Sequence, residues 1–319
     1  MLSLYLSRPL PDRVVTAASE GFDLTVRQST APMHRDEMLE ALATADIIVP
    51  TLGDRFDAAL FADAPHIRAR LLANFGVGYN HLDVAAARAA GLEVTNTPGA
   101  VTDATADIAL TLMLMTARRA GEGERMVREG RWEGWHPTQL LGLHLTGKTL
   151  GVVGMGRIGQ AIAKRAQFGF GMEVVYHTRT PRPLPDLPAA RPLPDLHAVM
   201  AAADMVAIAV PASAETHHLI DAAALAAMRP HAHLVNIARG DVIDEAALIA
   251  ALADRRIAGA GLDVYEHEPD VPEALRALDN VVLLPHLGTA ALEVREAMGM
   301  MVLDNARAFR DGRALPNVV

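Results

Sequence analysis

The sequence contains no cysteine among its 319 residues. Disulfide frameworks, thiolate nucleophiles, and zinc or iron–sulfur sites built on thiolates are therefore excluded. The 13 histidines are scattered, and no predicted helix carries the His-x-x-x-His or Glu-x-x-His spacing of paired metal ligands. We therefore expect no metal site, and any catalysis must use oxygen and nitrogen groups.

Long apolar runs are also missing. No stretch approaches the roughly 18 residues that a transmembrane helix needs, and no basic segment precedes a signal-length apolar run near Met1. We therefore expect a cytoplasmic protein.

Basic residues are fewer than acidic ones. The chain has 29 Lys and Arg residues against 38 Asp and Glu residues, which gives a formal net charge of −9. This balance argues against nucleic acid as a partner, although one local basic pocket could still hold a phosphorylated small molecule.

Apolar residues, by contrast, make up 51% of the chain, and only 21% of residues are charged. Such a composition is typical of a packed globular protein and excludes the disordered and fibrous classes. The length exceeds the roughly 250–300 residues at which single cores tend to split, so two domains are predicted.

Short apolar runs alternate with Ala-, Leu- and Arg-rich helical patterns along the whole chain. This alternation is typical of strand–helix–strand units and predicts an α/β fold with parallel sheets. The first series of predicted strands is Leu2–Leu6, Leu24–Arg27, Ile47–Pro50, Arg70–Asn74 and Glu93–Thr95. The second series is Leu150–Val153, Glu173–Tyr176, Met205–Val210, Leu234–Ile237, Gly261–Val264 and Val281–Leu284.

Three longer segments bear on the domain boundaries. The helical pattern Thr102–Glu129 follows a break at Pro98-Gly99 and is expected to cross between domains. The stretch Pro181–Pro194 is too rich in proline for a helix interior and is predicted to be a surface loop. The final pattern, Leu292–Arg310, is expected to return to the first domain. The prediction is two doubly wound domains with a cleft between them, formed by residues 1–98 plus 290–319 and by residues 99–289.

A glycine-rich turn follows the first strand of the second series. Its sequence is Gly154-Met-Gly156-Arg157-Ile158-Gly159, and a helical pattern comes directly after it. Here Gly154 permits a tight turn, Gly156 lets the backbone approach a pyrophosphate, and Gly159 permits close packing of helix on strand. The motif predicts a dinucleotide-binding domain of the Rossmann/flavodoxin-like type in residues 99–289 and leaves the other domain as a substrate (lid) domain. A purely structural turn is the alternative.

The residue after the second strand of this domain bears on which dinucleotide binds. NAD-binding versions present an acidic residue about 20 positions after the glycines, but Thr178 stands there, followed by Arg179 and Arg182. An uncharged residue removes the repulsion against a 2′-phosphate, and guanidinium groups can bind that phosphate. We therefore predict NADP(H) in preference to NAD(H); the alternative is that Arg179 is an ordinary solvated residue.

Three ionisable residues follow predicted strands of the second domain, where ligands bind in open α/β sheets: Arg239, Glu268 and His286. Reduction of a keto acid needs a cation to hold the carboxylate and polarise the carbonyl, a proton donor for the developing alkoxide, and a group that keeps the donor protonated. Arg239, His286 and Glu268 suit these roles in turn, because a neighbouring carboxylate favours the imidazolium form of histidine. Singly, each could also be a turn, a loop or a capped strand end. Asp263 is expected nearby as a structural or cofactor contact.

Four motifs together resemble the D-isomer-specific 2-hydroxyacid dehydrogenase family, and the resemblance covers nearly the whole chain. They are Gly154-x-Gly-x-x-Gly, Asn236-Ile-Ala-Arg-Gly-Asp-Val-Ile-Asp, Gly261-Leu-Asp-Val-Tyr-x-x-Glu-Pro and Pro285-His-Leu-Gly-Thr. The resemblance implies that Arg239, Glu268 and His286 form a catalytic triad. The expected cofactor contacts are Gly154, Gly156, Arg157, Ile158, Gly159, Thr178, Arg179, Thr180, Val210, Pro211, Ile237, Asp263 and Gly288.

The segment Asn74–Asp83 resembles the first-domain loop of this family, whose backbone N–H groups hold the substrate carboxylate. The resemblance points to Val77 and Gly78 as substrate-binding residues. Gly76 and Gly78 also suit an anion-binding nest. Tyr79-Asn80 departs from the shorter pair of many members, which leaves the substrate preference open.

Within the family, the chain is most similar to the glyoxylate/hydroxypyruvate reductase branch, through Tyr176-His-Thr-Arg-Thr-Pro-Arg-Pro and Trp132-Glu-Gly-Trp135-His-Pro. This similarity implies NADPH and a homodimer in which a tryptophan of the partner subunit reaches the active site and binds substrate. Trp135 is the nearest match, and an interface anchor without substrate contact is the alternative.

Other functions stay open at this point. They are a phosphite dehydrogenase-like oxidoreductase and a dinucleotide-sensing corepressor or scaffold with little turnover. Formate dehydrogenases fit poorly, because that branch carries Gln where Glu268 stands.

Overall fold

The computed structural model describes all residues from Met1 to Val319 and divides into two compact units. Unit 1 comprises Met1–Val101 and Ala290–Val319, and unit 2 comprises Thr102–Thr289. Each unit contains one parallel sheet with flanking helices. The α/β fold class predicted from the alternating pattern is therefore confirmed.

Unit 1 is built on five short parallel strands. They are β1 (Ser3–Leu6), β2 (Asp23–Val26), β3 (Ile47–Val49), β4 (Leu71–Ala73) and β5 (Glu93–Thr95). Their order in the sheet is β2-β1-β3-β4-β5. The helices between them are α1 (Asp12–Ser19), α2 (Arg35–Thr44), α3 (Ala58–Asp63) and α4 (Val84–Ala89).

Unit 2 contains a larger sheet. Its strands are β6 (Thr149–Val153), β7 (Glu173–His177), β8 (Arg191–Pro192), β9 (Met205–Ile208), β10 (His233–Asn236), β11 (Gly259–Leu262) and β12 (Val281–Leu283), in the order β12-β11-β10-β9-β6-β7-β8. Its helices are α5 (Thr102–Ala117), α6 (Ala120–Arg128), α7 (Arg157–Phe170), α8 (Leu196–Ala202), α9 (Ala222–Ala227), α10 (Glu245–Ala253) and α11 (Glu273–Arg276).

Successive strand residues of unit 2 belong to two different apolar cores. Val152 packs with residues of α5 and α7, whereas Val153 packs with residues of α8, α9 and α10. Successive side chains of a strand point to opposite faces of the sheet, so both faces are covered. This burial explains why these strands are continuous apolar runs rather than alternating ones.

The last helix, α12 (Leu292–Arg310), belongs to unit 1. It packs against α1 at Gly299, where a Cβ atom would come within 2.4 Å of the Val14 side chain. A glycine is therefore required at this crossing. No helix of the protein has the length and apolar character needed to cross a membrane.

The prediction of one helix over Thr102–Glu129 is wrong. The segment forms α5 and α6, which are separated at Arg119, a residue with left-handed backbone geometry (φ 51°). The carbonyl of Ala117 accepts a hydrogen bond from the N–H of Leu143 (2.7 Å). The N–H of Leu143 thus binds a carbonyl that a continuous helix would use for its own next turn. A local helical pattern does not contain this distant contact.

The prediction that Pro181–Pro194 is a loop throughout is also wrong. Arg191 and Pro192 form β8, which pairs with Val175 and Tyr176 of β7. Proline cannot donate to a ladder, but β8 lies at the edge of the sheet and pairs on one side only. The sheet therefore has seven strands rather than the six predicted.

Candidate active site

The three predicted catalytic residues follow neighbouring strands of unit 2. Strands β10, β11 and β12 are adjacent, and Arg239, Glu268 and His286 come after their carboxyl ends in that order. Oε2 of Glu268 lies 2.8 Å from Nδ1 of His286, and the His286 and Glu268 side chains are 29% and 27% exposed. The fold thus brings a half-buried carboxylate and imidazole into direct contact.

The backbone around His286 is anchored by Asp263. His286 has left-handed geometry (φ 54°), and its N–H donates to the carbonyl of Asp263 (3.0 Å). The buried carboxylate of Asp263 accepts the N–H groups of Leu287 (2.6 Å) and Gly288 (2.8 Å). Burial raises the pKa of Asp263, although these two N–H groups and His286 act in the opposite direction. Asp263 therefore holds the turn that presents His286.

Glu268 is fixed from two sides. Its Oε1 accepts the N–H of Tyr265 (3.1 Å), while Oε2 contacts His286. Burial by itself would raise the pKa of Glu268, but the hydrogen bond and charge of His286, the Tyr265 N–H and the charge of Arg239 outweigh it, so this pKa lies below its ordinary value. Glu268 is therefore ionised at neutral pH.

The turn that carries Arg239 contacts the Glu268 loop directly. A Cβ atom at Gly240 would lie 1.8 Å from the carbonyl carbon of Tyr265, so only glycine fits. Asn236 donates its side-chain N–H to the carbonyl of Arg239 (2.8 Å). Burial lowers the pKa of Arg239, while Glu268 and Asp241 oppose that shift, and a guanidinium stays charged at neutral pH.

The predicted anion nest lies in unit 1, after β4. Asn74 donates its side-chain N–H groups to the carbonyls of Gly76 (3.0 Å) and Gly78 (3.1 Å), and Asn96 donates to the carbonyl of Val77 (2.9 Å). The N–H groups of Val77 and Gly78 donate to no other group of the protein. Because the carbonyls are tied back and the N–H groups are left available, the loop suits a carboxylate.

The glycine turn of unit 2 fits a dinucleotide. A Cβ atom at Gly154 (φ 96°) would lie 2.8 Å from the carbonyl oxygen of Ala209, and one at Gly159 would lie 2.1 Å from that of Gly154. At Gly156 a Cβ atom would meet nothing within 4 Å, so the backbone faces open space there. Gly156 is also the N-cap of α7 without a side-chain cap, which leaves N–H groups of Arg157 and Ile158 at the helix end for a pyrophosphate.

The predicted 2′-phosphate segment begins directly after β7. The N–H of Gly154 donates to the carbonyl of His177 (2.9 Å), which places Thr178 beside the glycine turn. Arg179 forms an ion pair with Glu215, and both side chains are largely exposed. Thr180 is also exposed.

The other predicted cofactor contacts follow strands of the same sheet. A Cβ atom at Gly154 would lie 2.7 Å from the Val210 side chain, so Val210 lies against the glycine turn. Pro211 is exposed beside it, and Ile237 is buried after β10. The carbonyl of Gly288 accepts a hydrogen bond from Thr105 (3.1 Å).

Comparison with known proteins gives a consistent result. The family model for the NAD-binding domain of D-isomer specific 2-hydroxyacid dehydrogenases matches residues 110–288. The glyoxylate reductase of Pyrococcus furiosus is 43% identical over 320 residues, with 99% of this chain and 94% of that protein covered. The chain belongs to the D-isomer specific 2-hydroxyacid dehydrogenases.

Solved structures agree with this assignment. An NADPH-dependent glyoxylate/hydroxypyruvate reductase from Sinorhizobium meliloti, in complex with NADP and malonate, superposes with a TM-score of 0.85 at 37% identity, covering 100% of this chain and 96% of that one. A Thermus thermophilus protein superposes with a TM-score of 0.92 at 42% identity, covering 100% of both chains. This dehydrogenase is thus an oxidoreductase that uses a dinucleotide.

Both tryptophans of the dehydrogenase lie in a segment without regular structure. Trp132 is 52% exposed, Trp135 is 79% exposed, and nearby Leu141 is 66% exposed. Trp135 makes no side-chain hydrogen bond to Glu268 or His286 of its own chain. Its predicted role therefore stays a prediction.

Sequence reasoning missed several residues of the dehydrogenase's site. Asn74 belongs to the predicted loop motif but had no predicted role of its own, and Asn96 and Glu215 belong to no predicted motif. Tyr265 also acts here, because its hydroxyl donates to the carbonyl of Leu284 (2.9 Å) and ties the Glu268 loop to the end of β12. Local spacing could not reveal the contacts of Asn96, Glu215 and Tyr265, because each partner lies at least 19 positions away in the sequence.

Proposed function

We propose that this dehydrogenase reduces a small 2-keto acid, glyoxylate or hydroxypyruvate, to the D-2-hydroxy acid with NADPH. The observation that carries the proposal is the 2.8 Å contact between Glu268 and His286 on strand ends next to that of Arg239. Relatives that are glyoxylate reductases support the choice of substrate, and the Sinorhizobium meliloti enzyme supports the choice of NADPH.

In the proposed mechanism, His286 is the general acid. Its Nδ1 is engaged by Glu268, so Nε2 is the atom left to donate a proton to the developing alkoxide. Glu268 stays ionised and accepts a hydrogen bond from Nδ1 of His286, which fixes the orientation of the ring. When bound, the reduced dinucleotide would supply hydride chemistry for the carbonyl carbon. His286 gives its proton to the carbonyl oxygen.

In this proposal a guanidinium group and backbone N–H groups bind the substrate. The guanidinium of Arg239 offers two parallel donors to the carboxylate and carbonyl oxygens, and it polarises the carbonyl. Val77 and Gly78 would supply further N–H groups to the substrate carboxylate. In this assignment unit 1 is the substrate (lid) domain and unit 2 the dinucleotide-binding domain.

The residues that would hold the dinucleotide are the glycine turn with Arg157 and Ile158, and the segment Thr178–Thr180. Thr178 carries no charge to repel a 2′-phosphate, and Arg179 can bind it once the guanidinium turns from Glu215. Val210, Pro211, Ile237 and Gly288 would border the remainder of the dinucleotide.

We also propose a homodimer formed through the segment Gly130–Leu143. The exposed Trp132, Trp135 and Leu141 support this assignment, because aromatic and large apolar side chains are enriched in interfaces. Trp135 would then contribute to the substrate pocket of the partner subunit.

A steady-state assay with NADPH and a panel of 2-keto acids tests the proposed activity. We expect the highest kcat/KM for glyoxylate or hydroxypyruvate, with pyruvate lower. Tight NADPH binding without turnover of any keto acid would instead indicate a dinucleotide-sensing scaffold. Oxidation of phosphite in preference to any hydroxy acid would indicate the phosphite dehydrogenase class.

A further inference from the structure

The segment that follows β9 lies along the turn that carries Arg239. Residues 209–220, the β9 loop, include two of the predicted dinucleotide contacts, Val210 and Pro211. The N–H of His218 in this loop donates to the carbonyl of Asp241 (2.8 Å). The backbone of His218 therefore joins the β9 loop to the Arg239 turn.

The side chain of His218 joins the β9 loop to the Glu268 loop. Its Nε2 lies 2.9 Å from Oε1 of Glu266, two residues before Glu268 in the sequence. A carboxylate only accepts hydrogen bonds, so Nε2 of His218 is the donor. The His218 and Glu266 side chains are 36% and 19% exposed, so the contact is partly shielded from water. One histidine thus contacts the Arg239 turn through its backbone and the Glu268 loop through its ring.

The backbone of His218 has an uncommon conformation. Its φ of 49° lies in the left-handed region that residues other than glycine rarely adopt. Such geometry persists only where the surrounding structure fixes it, and it is concentrated at functional sites. The ring also stacks on that of His217, with the ring centroids 4.0 Å apart. These contacts fix the direction in which the His218 ring reaches Glu266.

Acidic groups surround this contact. The N–H of Glu266 donates to buried Glu245 (3.4 Å), and burial and the charge of Glu266 both raise the pKa of Glu245. A cation at His218 compensates for this repulsion between carboxylates. The hydrogen bond to Glu266 is the main reason that the pKa of His218 lies above its ordinary value, although burial opposes the rise. The charges of Glu266, Asp244 and Asp241 also raise it.

The position of Glu266 bears directly on the proposed general acid. The neighbouring Tyr265 donates its N–H to Oε1 of Glu268 (3.1 Å), and Oε2 of Glu268 contacts His286 (2.8 Å). A displacement of Glu266 would therefore move the residues that align His286. Because the β9 loop carries predicted dinucleotide contacts, a link between the two loops joins dinucleotide binding to that alignment.

We propose that His218 is a positioning residue, which holds the Glu268 loop against the β9 loop through an ion pair with Glu266. The pair makes the alignment of Glu268 and dinucleotide binding depend on one another. The expected effect on turnover rests on the proposed roles of Glu268 and His286, whereas the expected effect on dinucleotide affinity does not.

Two substitutions at His218 test this role in the full-length protein. His218→Phe keeps a ring but removes the donor, whereas His218→Gln keeps an N–H donor and removes the charge. At about pH 6, His218→Phe should raise the Kd and KM for NADPH and lower kcat, each about three- to tenfold, as expected for loss of a partly exposed charge-assisted hydrogen bond. His218→Gln should recover part of this loss.

The pH dependence separates positioning by an ion pair from a purely structural role. The charge of His218 contributes fully below the ordinary histidine pKa and is lost as pH rises through the raised value. The wild type should therefore exceed His218→Gln in NADPH affinity and kcat/KM at about pH 6, and the two should converge by about pH 9. His286 and the 2′-phosphate titrate in both proteins, so the ratio of wild type to variant at each pH isolates His218.

His231→Gln is the matched control. His231 also pairs with a carboxylate, that of Asp204 (2.7 Å), but it lies before β10, at the opposite end of the strands. This variant should leave kcat, KM and their pH dependence unchanged.

A double-mutant cycle tests whether His218 acts through Glu266. His218→Gln combined with Glu266→Gln should cost little more than either substitution alone. If the His218 variants do not fold, Glu266→Gln decides the matter, because its deficit should shrink with rising pH in the same way.

Three results would overturn the proposal. One is wild-type NADPH affinity and turnover in His218→Phe. Another is a deficit of His218→Gln that is the same at every pH or is shared by His231→Gln. The third is additive costs in the double-mutant cycle. If His286→Ala keeps wild-type turnover, the proposed function fails, and the NADPH affinity of the His218 variants still decides whether His218 holds the β9 loop.

Discussion

At the scale of single residues, the chemistry depends on two contacts that join separate strand ends. Glu268 and His286 meet at 2.8 Å, and Gly240 lets the Arg239 turn lie directly on the peptide of Tyr265. The acid, its carboxylate partner and the cation are therefore held by backbone as well as by side chains. Loss of any one of them should have a distinct kinetic signature.

Replacement of the proposed general acid should affect turnover alone. His286→Ala is expected to lower kcat for glyoxylate by about 10²–10⁴-fold, because no other group then donates the proton. NADPH affinity, measured by fluorescence titration, should stay nearly unchanged. His197→Ala, at an exposed position on α8, is the control. Wild-type turnover in His286→Ala would remove His286 from the mechanism.

The Glu268 carboxylate should set the pH dependence. Its pKa is lowered in the folded protein, so its ionised form contributes stability that is present above the ordinary carboxyl pKa and is lost as pH falls through the lowered value. Glu268→Gln removes the carboxylate that contacts His286, so kcat should fall, and the acidic limb of the pH–rate profile that belongs to the ionisation of Glu268 should disappear. The stability deficit should be largest near neutral pH and disappear in acid. A pH–rate profile identical to that of the wild type would contradict this pairing.

The ion pair between Arg179 and Glu215 leads to a prediction about the dinucleotide. Arg179→Ala should weaken NADPH about tenfold to a hundredfold and spare NADH, because it removes charge-assisted bonds to the 2′-phosphate. Glu215→Gln should strengthen NADPH binding, because it releases the guanidinium. Thr178→Asp combined with Arg179→Ala should reverse the preference. If the wild type has an equal or better kcat/KM with NADH than with NADPH, Arg179 does not select NADPH through its 2′-phosphate.

At the scale of secondary-structure elements, a polar cluster joins the amino ends of two strands in unit 1. Asp46 accepts the N–H of Ser3 (2.8 Å) and two N–H groups of Arg68 (2.8 and 2.9 Å). The hydrogen bond from Arg68 is the main reason that the pKa of Asp46 falls to about 2. The cluster therefore links β1, β3 and the residues before β4.

Asp46→Asn should reduce the free energy of unfolding by about 1–2 kcal/mol at neutral pH, a figure discounted because the Arg68 side chain is half exposed. The difference should shrink as pH falls from about 4 towards 2, since the ionised form is lost there. Urea unfolding at several pH values measures it. Asp63→Asn removes a more exposed ion pair with Arg35 and should cost much less. A deficit that does not change with pH would show that the charge is not the cause.

At the scale of the whole molecule, the exposed apolar segment Gly130–Leu143 predicts assembly. The wild type should sediment as a dimer at micromolar concentration. Leu141→Asp should shift it towards monomer, because it places a charge in the interface. Trp135→Ala should change the ranking of keto acids if the side chain reaches the partner's pocket, and only their common rate if it does not. A wild-type monomer would end the proposal.

The amino-acid sequence by itself determined the features that depend on local pattern. The alternation of short apolar runs with helical patterns predicted parallel α/β units. Strands of a parallel sheet are buried on both faces, and such strands are continuous apolar runs. The spacing of Gly154, Gly156 and Gly159 gave the dinucleotide turn, because each glycine meets a local steric need. The positions of Arg239, Glu268 and His286 directly after predicted strands made them candidate catalytic residues, because ligands bind at the carboxyl edge of such sheets.

Only the tertiary structure decided the features that join distant segments. Leu143 ends α5 by taking the Ala117 carbonyl, Asn96 turns the Val77 carbonyl away, and Glu215 engages Arg179. A hydrogen bond depends on what lies within a few ångströms in space, and a local sequence window does not contain that information.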